Sequence, residues 1–237
     1  MRFDLKIIPD ILYKIAESLE TDKVYIVGGI VRDSIIPILS NNIKLISQPI
    51  GDDWDIASPI RPEDVIKKLQ NNSFNVIPIG IEHGTVLIRQ GELEFEHTTF
   101  RRDVLCDGRR AVVEFADNIE EDISRRDFTV NSMAVELNSG EVIDPFNGVS
   151  DLRDRIIRTV GEPLTRFRED RLRMLRAIRF ACLLDAQIET STWDSICRMA
   201  NEITSISAER VREEIMKIWS IQNLILQKLS DGRKENE

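Results

Sequence analysis

The sequence predicts an α+β fold, with a small mixed β-sheet and flanking helices over residues 1–147, an all-helical domain over 148–229 and a disordered tail over 230–237. Three observations predict it. Short β-branched runs alternate with helical periodicities up to residue 143, the turn-forming cluster Asp144-Pro145-Phe146-Asn147-Gly148 follows, and nearly everything beyond has helical period.

The elements follow in order. Residues 9–19 read as an amphipathic helix, 23–27 as a strand and 31–40 as a helix opened by Gly28-Gly29. Residues 53–57 read as a strand and 62–70 as a helix, whose Glu63 and Asp64 suit the positive end of a helix dipole. Residues 85–89 and 92–98 alternate apolar with polar around Gln90-Gly91, which signals a hairpin. The polar stretch 101–112, centred on Asp107-Gly108-Arg109-Arg110, reads as a mobile basic loop or a plain hairpin connection before a strand at 112–115. Residues 131–136 and 142–143 supply short strands around Asn138-Ser139-Gly140. From Gly148 onward, 150–154, 165–184, 192–203 and 208–229 carry helical periodicity, and the charged residues 230–237 read as disordered.

Composition bounds the function. A chain of 237 residues with 42% hydrophobic content and mean hydropathy −0.21 is long enough to bury one or two cores and is not of the disordered class. Its apolar runs fall short of the ~20 residues that cross a bilayer, and Met1-Arg2-Phe3-Asp4 lacks a signal peptide's apolar core, so the expected location is the cytoplasm. Cys106, Cys182 and Cys197 lie far apart without paired spacing, which argues against a disulfide framework and a zinc site; Cys182 and Cys197 are expected in helix cores. His83 and His97 share no metal-binding spacing and read as local hydrogen-bonding residues. A net charge of −9 argues against an indiscriminate nucleic-acid binder. Arginines nevertheless concentrate locally, with four in 101–110, the pair Arg125-Arg126 and nine in 153–179. The flat guanidinium fork suits phosphates and base edges.

Four motifs point to chemistry. In Gly51-Asp52-Asp53-Trp54-Asp55-Ile56-Ala57-Ser58, the carboxylates Asp53 and Asp55 stand two residues apart. In a strand they share a face and suit a hard, oxygen-preferring divalent ion, although a polar turn with solvated acids has the same composition. Gly28-Gly29-Ile30-Val31-Arg32-Asp33 follows a strand and opens a helix, where bare N–H groups and Arg32 suit a phosphate; simple turn chemistry is the alternative. Together the two motifs suggest a nucleoside triphosphate. Arg125-Arg126-Asp127-Phe128-Thr129-Val130-Asn131 packs charge and an amide around one aromatic, as a salt-bridged turn also does. Lastly, Asp170, Arg173, Arg176 and Arg179 fall at i+3 steps on one helix, opposite Leu172, Leu175, Ile178 and Phe180. That stripe is either solvated or directed at a site.

With Glu209-Arg210-Val211-Arg212-Glu213-Glu214, these motifs resemble in order and spacing the head and neck of class II tRNA nucleotidyltransferases, the CCA-adding enzymes and bacterial poly(A) polymerases of the polymerase-β-like superfamily. The resemblance covers residues 5–216. It implies that Asp53 and Asp55 bind two Mg²⁺ ions, one lowering the pKa of the RNA 3′-hydroxyl and one holding the triphosphate for in-line attack on the α-phosphorus. It implies that Gly28, Gly29 and Arg32 contact the triphosphate, that Arg126 lies at the nucleotide, and that Glu96 is an additional carboxylate. Asp170 and Arg173 would select the base, with Arg176 and Arg179 in support. A carboxylate only accepts hydrogen bonds and a guanidinium only donates, so such a pair suits the amine and ring nitrogen of cytosine or adenine and leaves groups unpaired against uracil or guanine. The implied activity is template-independent addition of C and A, from CTP and ATP, to the 3′ end of tRNA. The basic loop favours full CCA addition over an A-adding or CC-adding enzyme or a poly(A) polymerase. A non-catalytic RNA- or nucleotide-binding module is the alternative of another class. Family members continue into helical body and tail domains that grip tRNA, so the expectation is either a truncated or naturally compact form or a homodimer or partner subunit that supplies that surface.

Overall fold

The computed structural model describes residues 1–39, 54–106 and 111–234. The first helix, α1 (Asp10–Leu19), buries Leu12, Ile15, Ala16 and Leu19, the i, i+3, i+4, i+7 stripe its sequence carries, and stops at Glu20 in the left-handed region. Strand β1 (Tyr25–Val27) runs through Gly28 into α2 (Gly29–Leu39), and β2 (Trp54–Ser58) into α3 (Pro62–Asn71). The latter starts with Pro62 and carries Glu63 and Asp64 in its first turn. Next come β3 (Asn75–Gly80), β4 (Thr85–Gln90), β5 (Leu93–Thr99), β6 (Arg101–Cys106), β7 (Ala111–Phe115), α4 (Ile119–Ser124), β8 (Ala134–Glu136) and β9 (Val142–Ile143).

Among the described residues, one seven-stranded sheet has the order β3-β4-β5-β2-β1-β8-β9. Its pairings are antiparallel except β2 against β5, so the sheet is mixed. The β4–β5 hairpin turns at Gly91 with φ 64°, as its sequence signal predicts. Two elements of this half, β3 and α4, escape sequence reading. Strand β3 lies at the sheet edge with a register irregularity between Ile77 and Gly80 that accommodates Pro78. Helix α4 is capped by Asn118, whose side chain accepts the Glu121 N–H at 2.9 Å. Of the two readings of 101–112, a mobile basic loop or a plain hairpin connection, the described residues fit the second: β6 runs antiparallel to β7, with Arg102 paired to Glu114 at 3.0 Å across the ribbon. Residues 107–110 lie outside the described residues.

The second half comprises α5 (Gly148–Asp154), β10 (Ile156–Ile157), α6 (Pro163–Glu169), α7 (Arg173–Leu184), β11 (Gln187–Ile188), α8 (Thr190–Met199) and α9 (Ala208–Lys234). It is not purely helical, because β10 and β11 pair in parallel. The helix expected over 165–184 is two helices. Between them Asp170 is extended (φ −149°, ψ 109°) and its carboxylate takes the Leu172 N–H at 3.1 Å, a local bond that competes with helix continuation. Residues 230–234, expected to be disordered, belong to α9, and 235–237 lie outside the described residues.

One hydrophobic cluster joins both halves, running from Phe3 and Leu12 through Phe95 and Phe128 to Phe167, Phe180 and Met199. Cys182 and Cys197 are exposed and unpaired rather than core residues, because α7 buries Met174, Ala177, Phe180 and Leu184, and α8 buries Thr192, Ser195, Ile196 and Met199. His97 is fully buried and bonded to Ser58 Oγ at 2.8 Å. Among the described residues, no helix is long and apolar enough to cross a membrane.

Candidate active site

The ends of β1 and β2, the segment after α4 and the α6–α7 break converge on a cleft of about 510 Å³. Its lining includes Gly28, Gly29, Arg32, Asp55, Arg126, Asp170, Arg173, Arg176 and Arg179, residues the sequence singles out from four separate motifs. Asp53 lies outside the described residues. Arg125, Asp127, Asn131, Leu172, Phe180 and Arg210 complete the lining. Seven arginines thus face three aspartates, which gives an acidic protein a locally cationic cleft.

Asp55 sits in β2 opposite Val27 on one side and Glu96 on the other. Gly28 explains how it fits. At φ 84° Gly28 adopts a conformation L residues avoid, and a Cβ there would lie 2.7 Å from Asp55 Oδ2. Glycine therefore lets the carboxylate approach the turn that opens α2. Glu96 is exposed and is not among the cleft-lining residues. Among the described residues no group of three His, Cys, Asp or Glu is gathered to hold a metal. Asp55 and Asp53 are hard oxygen donors, the chemistry that Mg²⁺ prefers.

The arginines divide by what already holds them. Arg32 is buried, and its fork is committed to Asp33 through Nε (2.7 Å) and Nη2 (2.9 Å) and to Asn131 Oδ1 through Nη1 (2.7 Å), so it braces α2 against the segment 125–131. Arg176 donates through Nε to Asp127 Oδ2 at 2.7 Å. Burial alone would raise the Asp127 carboxyl, but the Arg176 charge and the Asn131 and Arg176 hydrogen bonds outweigh it and hold the group below its usual range. Arg179 pairs with buried Glu214 of α9. Arg173 donates to Glu169 at 2.7 Å and to the Arg125 carbonyl at 3.1 Å. Arg126 differs. It has a 3.6 Å ion pair with Asp122, and its buried Nε has no hydrogen-bond partner. Phe180 forms an aromatic anchor, with the guanidinium carbons of Arg32, Arg176 and Arg179 at 5.2, 5.4 and 4.1 Å from its ring centre.

The side chains of Asp170 and Arg173 do not pair, although the Arg173 N–H donates to the Asp170 carbonyl at 3.1 Å. Asp170 Oδ2 is held by Arg210 of α9 at 2.9 Å, a partner forty residues away that sequence spacing does not reveal. Asp127, Asn131 and Arg210 lie inside motifs the sequence singles out, so a signal existed without an assigned role. Phe180 reads in the sequence as part of the buried side of its helix and nothing more.

Known proteins agree with this architecture. The family described as poly A polymerase head domain matches residues 24–158, and the one described as probable RNA and SrmB-binding site of polymerase A matches 185–220. The CCA-adding enzymes of Anoxybacillus flavithermus and Streptococcus thermophilus are 40% and 44% identical over 196 residues, 82% of this chain and 45% of each relative. The chain spans about half the length of the curated relatives it matches. The structure of the Bacillus stearothermophilus CCA-adding enzyme in complex with CTP superposes with a TM-score of 0.74 at 38% identity, covering 87% of this chain and 47% of that one. That of the Thermotoga maritima CCA-adding enzyme complexed with tRNA gives 0.68 at 27% identity, over 90% and 48%.

Proposed function

The chain belongs to the poly A polymerase head-domain family, and from that premise we propose that it is a nucleotidyltransferase that adds C and A, from CTP and ATP, to the 3′ end of tRNA. The observation that carries this reading is the convergence of both carboxylate and arginine motifs on one cationic cleft, which suits a triphosphate, a base and an RNA end together.

In this reading residues 1–147 hold the reacting phosphates and residues 148–229 select the base. Asp53 and Asp55 would hold Mg²⁺, which when bound activates the 3′-hydroxyl and neutralises charge on the triphosphate. Arg126, with an unpartnered Nε in a cleft already rich in positive charge, binds the nucleotide. The N–H groups of the Gly28–Gly29 turn cradle phosphate oxygens, helped by the positive end of α2. Arg32 serves by fixing Asn131 and Asp33 rather than by a free fork. Asp170 accepts from the exocyclic amine of cytosine or adenine and Arg173 donates to the adjacent ring nitrogen, which selects both bases without a nucleic-acid template. Arg176 and Arg179 support that wall. Glu96, in register beside Asp55, is kept as an auxiliary carboxylate. The cytoplasm is the compartment where this reaction belongs.

The test is incubation with Mg²⁺ and tRNAs ending at the discriminator base, at C or at CC, with labelled CTP and ATP separately and together. Extension of all three to CCA, reduced on the order of a thousandfold in Asp55→Asn, is the expected result. Extension of the CC end alone would make it an A-adding enzyme, repeated A addition a poly(A) polymerase, and no incorporation a binding module. Size-exclusion chromatography of the active fraction reports whether a homodimer or a partner subunit takes part.

A further inference from the structure

Phe180 stands where three cations meet. It follows Arg176 by one turn of α7, so the two side chains share a face of the helix, and Arg179 directly precedes it. Arg32 reaches the same ring from α2, and the guanidinium carbons of Arg179, Arg32 and Arg176 lie 4.1, 5.2 and 5.4 Å from its centre. The ring is itself held. It is buried and meets the fully buried Phe128 edge to face, with centres 5.8 Å apart and planes at 71°. Acidic partners fix one edge of each fork: Asp33 for Arg32, Asp127 for Arg176 and Glu214 for Arg179. For the two arginines of α7 that edge contact leaves the plane free to swing. Arg176 spends Nε and Nη2 on one oxygen, Asp127 Oδ2, at 2.7 and 2.6 Å. Among the described residues Arg179 donates only through Nε. What sets both planes is the face of Phe180, which attracts a cation through the ring quadrupole.

We infer that Phe180 is a positioning residue for polyphosphate binding: its face holds the guanidinium planes of Arg176 and Arg179 so that their unspent Nη donors stand ready for the nucleotide's triphosphate. Both arginines and the ring line the same cleft. Donors fixed before the ligand arrives cost less to order when it binds, and charged donors are the ones a phosphate uses best. An effect of opposite sign accompanies this one, because the ring's negative face offsets part of the positive field that attracts an anion. Orientation outweighs it. The field comes from seven full charges, whereas a quadrupole's influence falls steeply with distance and the anion binds at the guanidinium edges, beyond the ring. The role adds to the support that Arg176 and Arg179 give the base-reading wall. It rests on the reading of the cleft as a triphosphate site.

The test is equilibrium binding of CTP and of inorganic tripolyphosphate to the full 237-residue chain by titration calorimetry in buffer containing Mg²⁺, with an unfolding midpoint for each protein. Phe180 is replaced in turn by mono-, di- and trifluorinated phenylalanine, which keep the ring's shape while fluorine drains electron density from its face. Tripolyphosphate affinity is expected to fall with each fluorine, reaching about tenfold at the trifluorinated ring, and CTP affinity to fall in parallel. Phe180→Leu removes the face altogether and should bind at least as weakly. A role in packing alone would respond to leucine and not to fluorine, which overturns the inference even where the leucine variant is too unstable to assay. Tighter binding along the fluorinated series, the result if charge offset were the larger effect, overturns it as well. Trifluorinated phenylalanine at Phe167, fully buried in the same apolar cluster, is the control expected to match wild type. An equal loss there would assign the effect to fluorine in the core and remove the inference. A wild type that binds neither CTP nor tripolyphosphate removes the triphosphate reading of the cleft and the inference with it. Wild-type binding that persists undiminished through the fluorinated series leaves that reading standing and removes only the inference.

Discussion

Gly28 shows most directly how a single side chain shapes this site. Its φ of 84° and the 2.7 Å separation between a hypothetical Cβ and Asp55 Oδ2 make two independent demands for glycine. Gly28→Ala is expected to cost about 1–3 kcal/mol in urea unfolding and to displace Asp55, lowering nucleotide incorporation by more than the stability loss explains. An alanine variant with wild-type stability and transfer would refute that account. The glycine pair was legible in the sequence, since strand, glycine and helix follow in order. The commitment of Arg32 was not. Its fork is taken up by Asn131, ninety-nine residues away, and local spacing carries no information about a partner at that distance.

Single elements are held by charges that only folding brings together. Asp127, buried, receives Arg176 from α7 and Asn131 from the turn after α4. Asp127→Ala leaves Arg176 without its partner and is expected to cost about 3–5 kcal/mol, most of it recovered when Arg176→Met is added; both are read from urea midpoints. Strand β5 makes a separate pH prediction. Burial pushes the His97 imidazole down to about 4, against a small opposing hydrogen bond to its own backbone, so the folded protein keeps it neutral. The unfolded chain takes up that proton first, near the ordinary value of about 6.5, and stability present above that pH is lost as pH falls towards about 4. The loss is about 3 kcal/mol, and His97→Gln should flatten the slope between about pH 6.5 and 5. An unchanged slope in that variant would assign it to other groups. Element reading succeeded where periodicity was strong, as in α1 and α3. It failed at residues 165–184, because the Asp170 side chain takes a backbone N–H that the periodicity had implicitly given to a helix.

The whole molecule unites two regions that the sequence separates at residue 147. The larger apolar cluster spans both, from Leu12 and Phe95 through Phe128 to Phe167 and Phe180, while a smaller one around Phe100 and Ile123 lies within the first region. Thermal unfolding is therefore expected to be one cooperative transition, with equal calorimetric and van't Hoff enthalpies; two resolved transitions would show that the regions fold independently. At this scale the sequence by itself determined the fold class, the positions of most helices and strands, and the set of motifs that bear chemistry, because each is encoded in local spacing of apolar, glycine and charged residues. Only the tertiary structure decided which arginines are braces and which remain open to a ligand, that Asp170 answers to Arg210 rather than to Arg173, and that all these motifs share one cleft. The reason is physical: a guanidinium's availability depends on the acceptors within hydrogen-bond reach, and those acceptors come from chain segments forty to a hundred residues away that only the packed core brings within three ångströms.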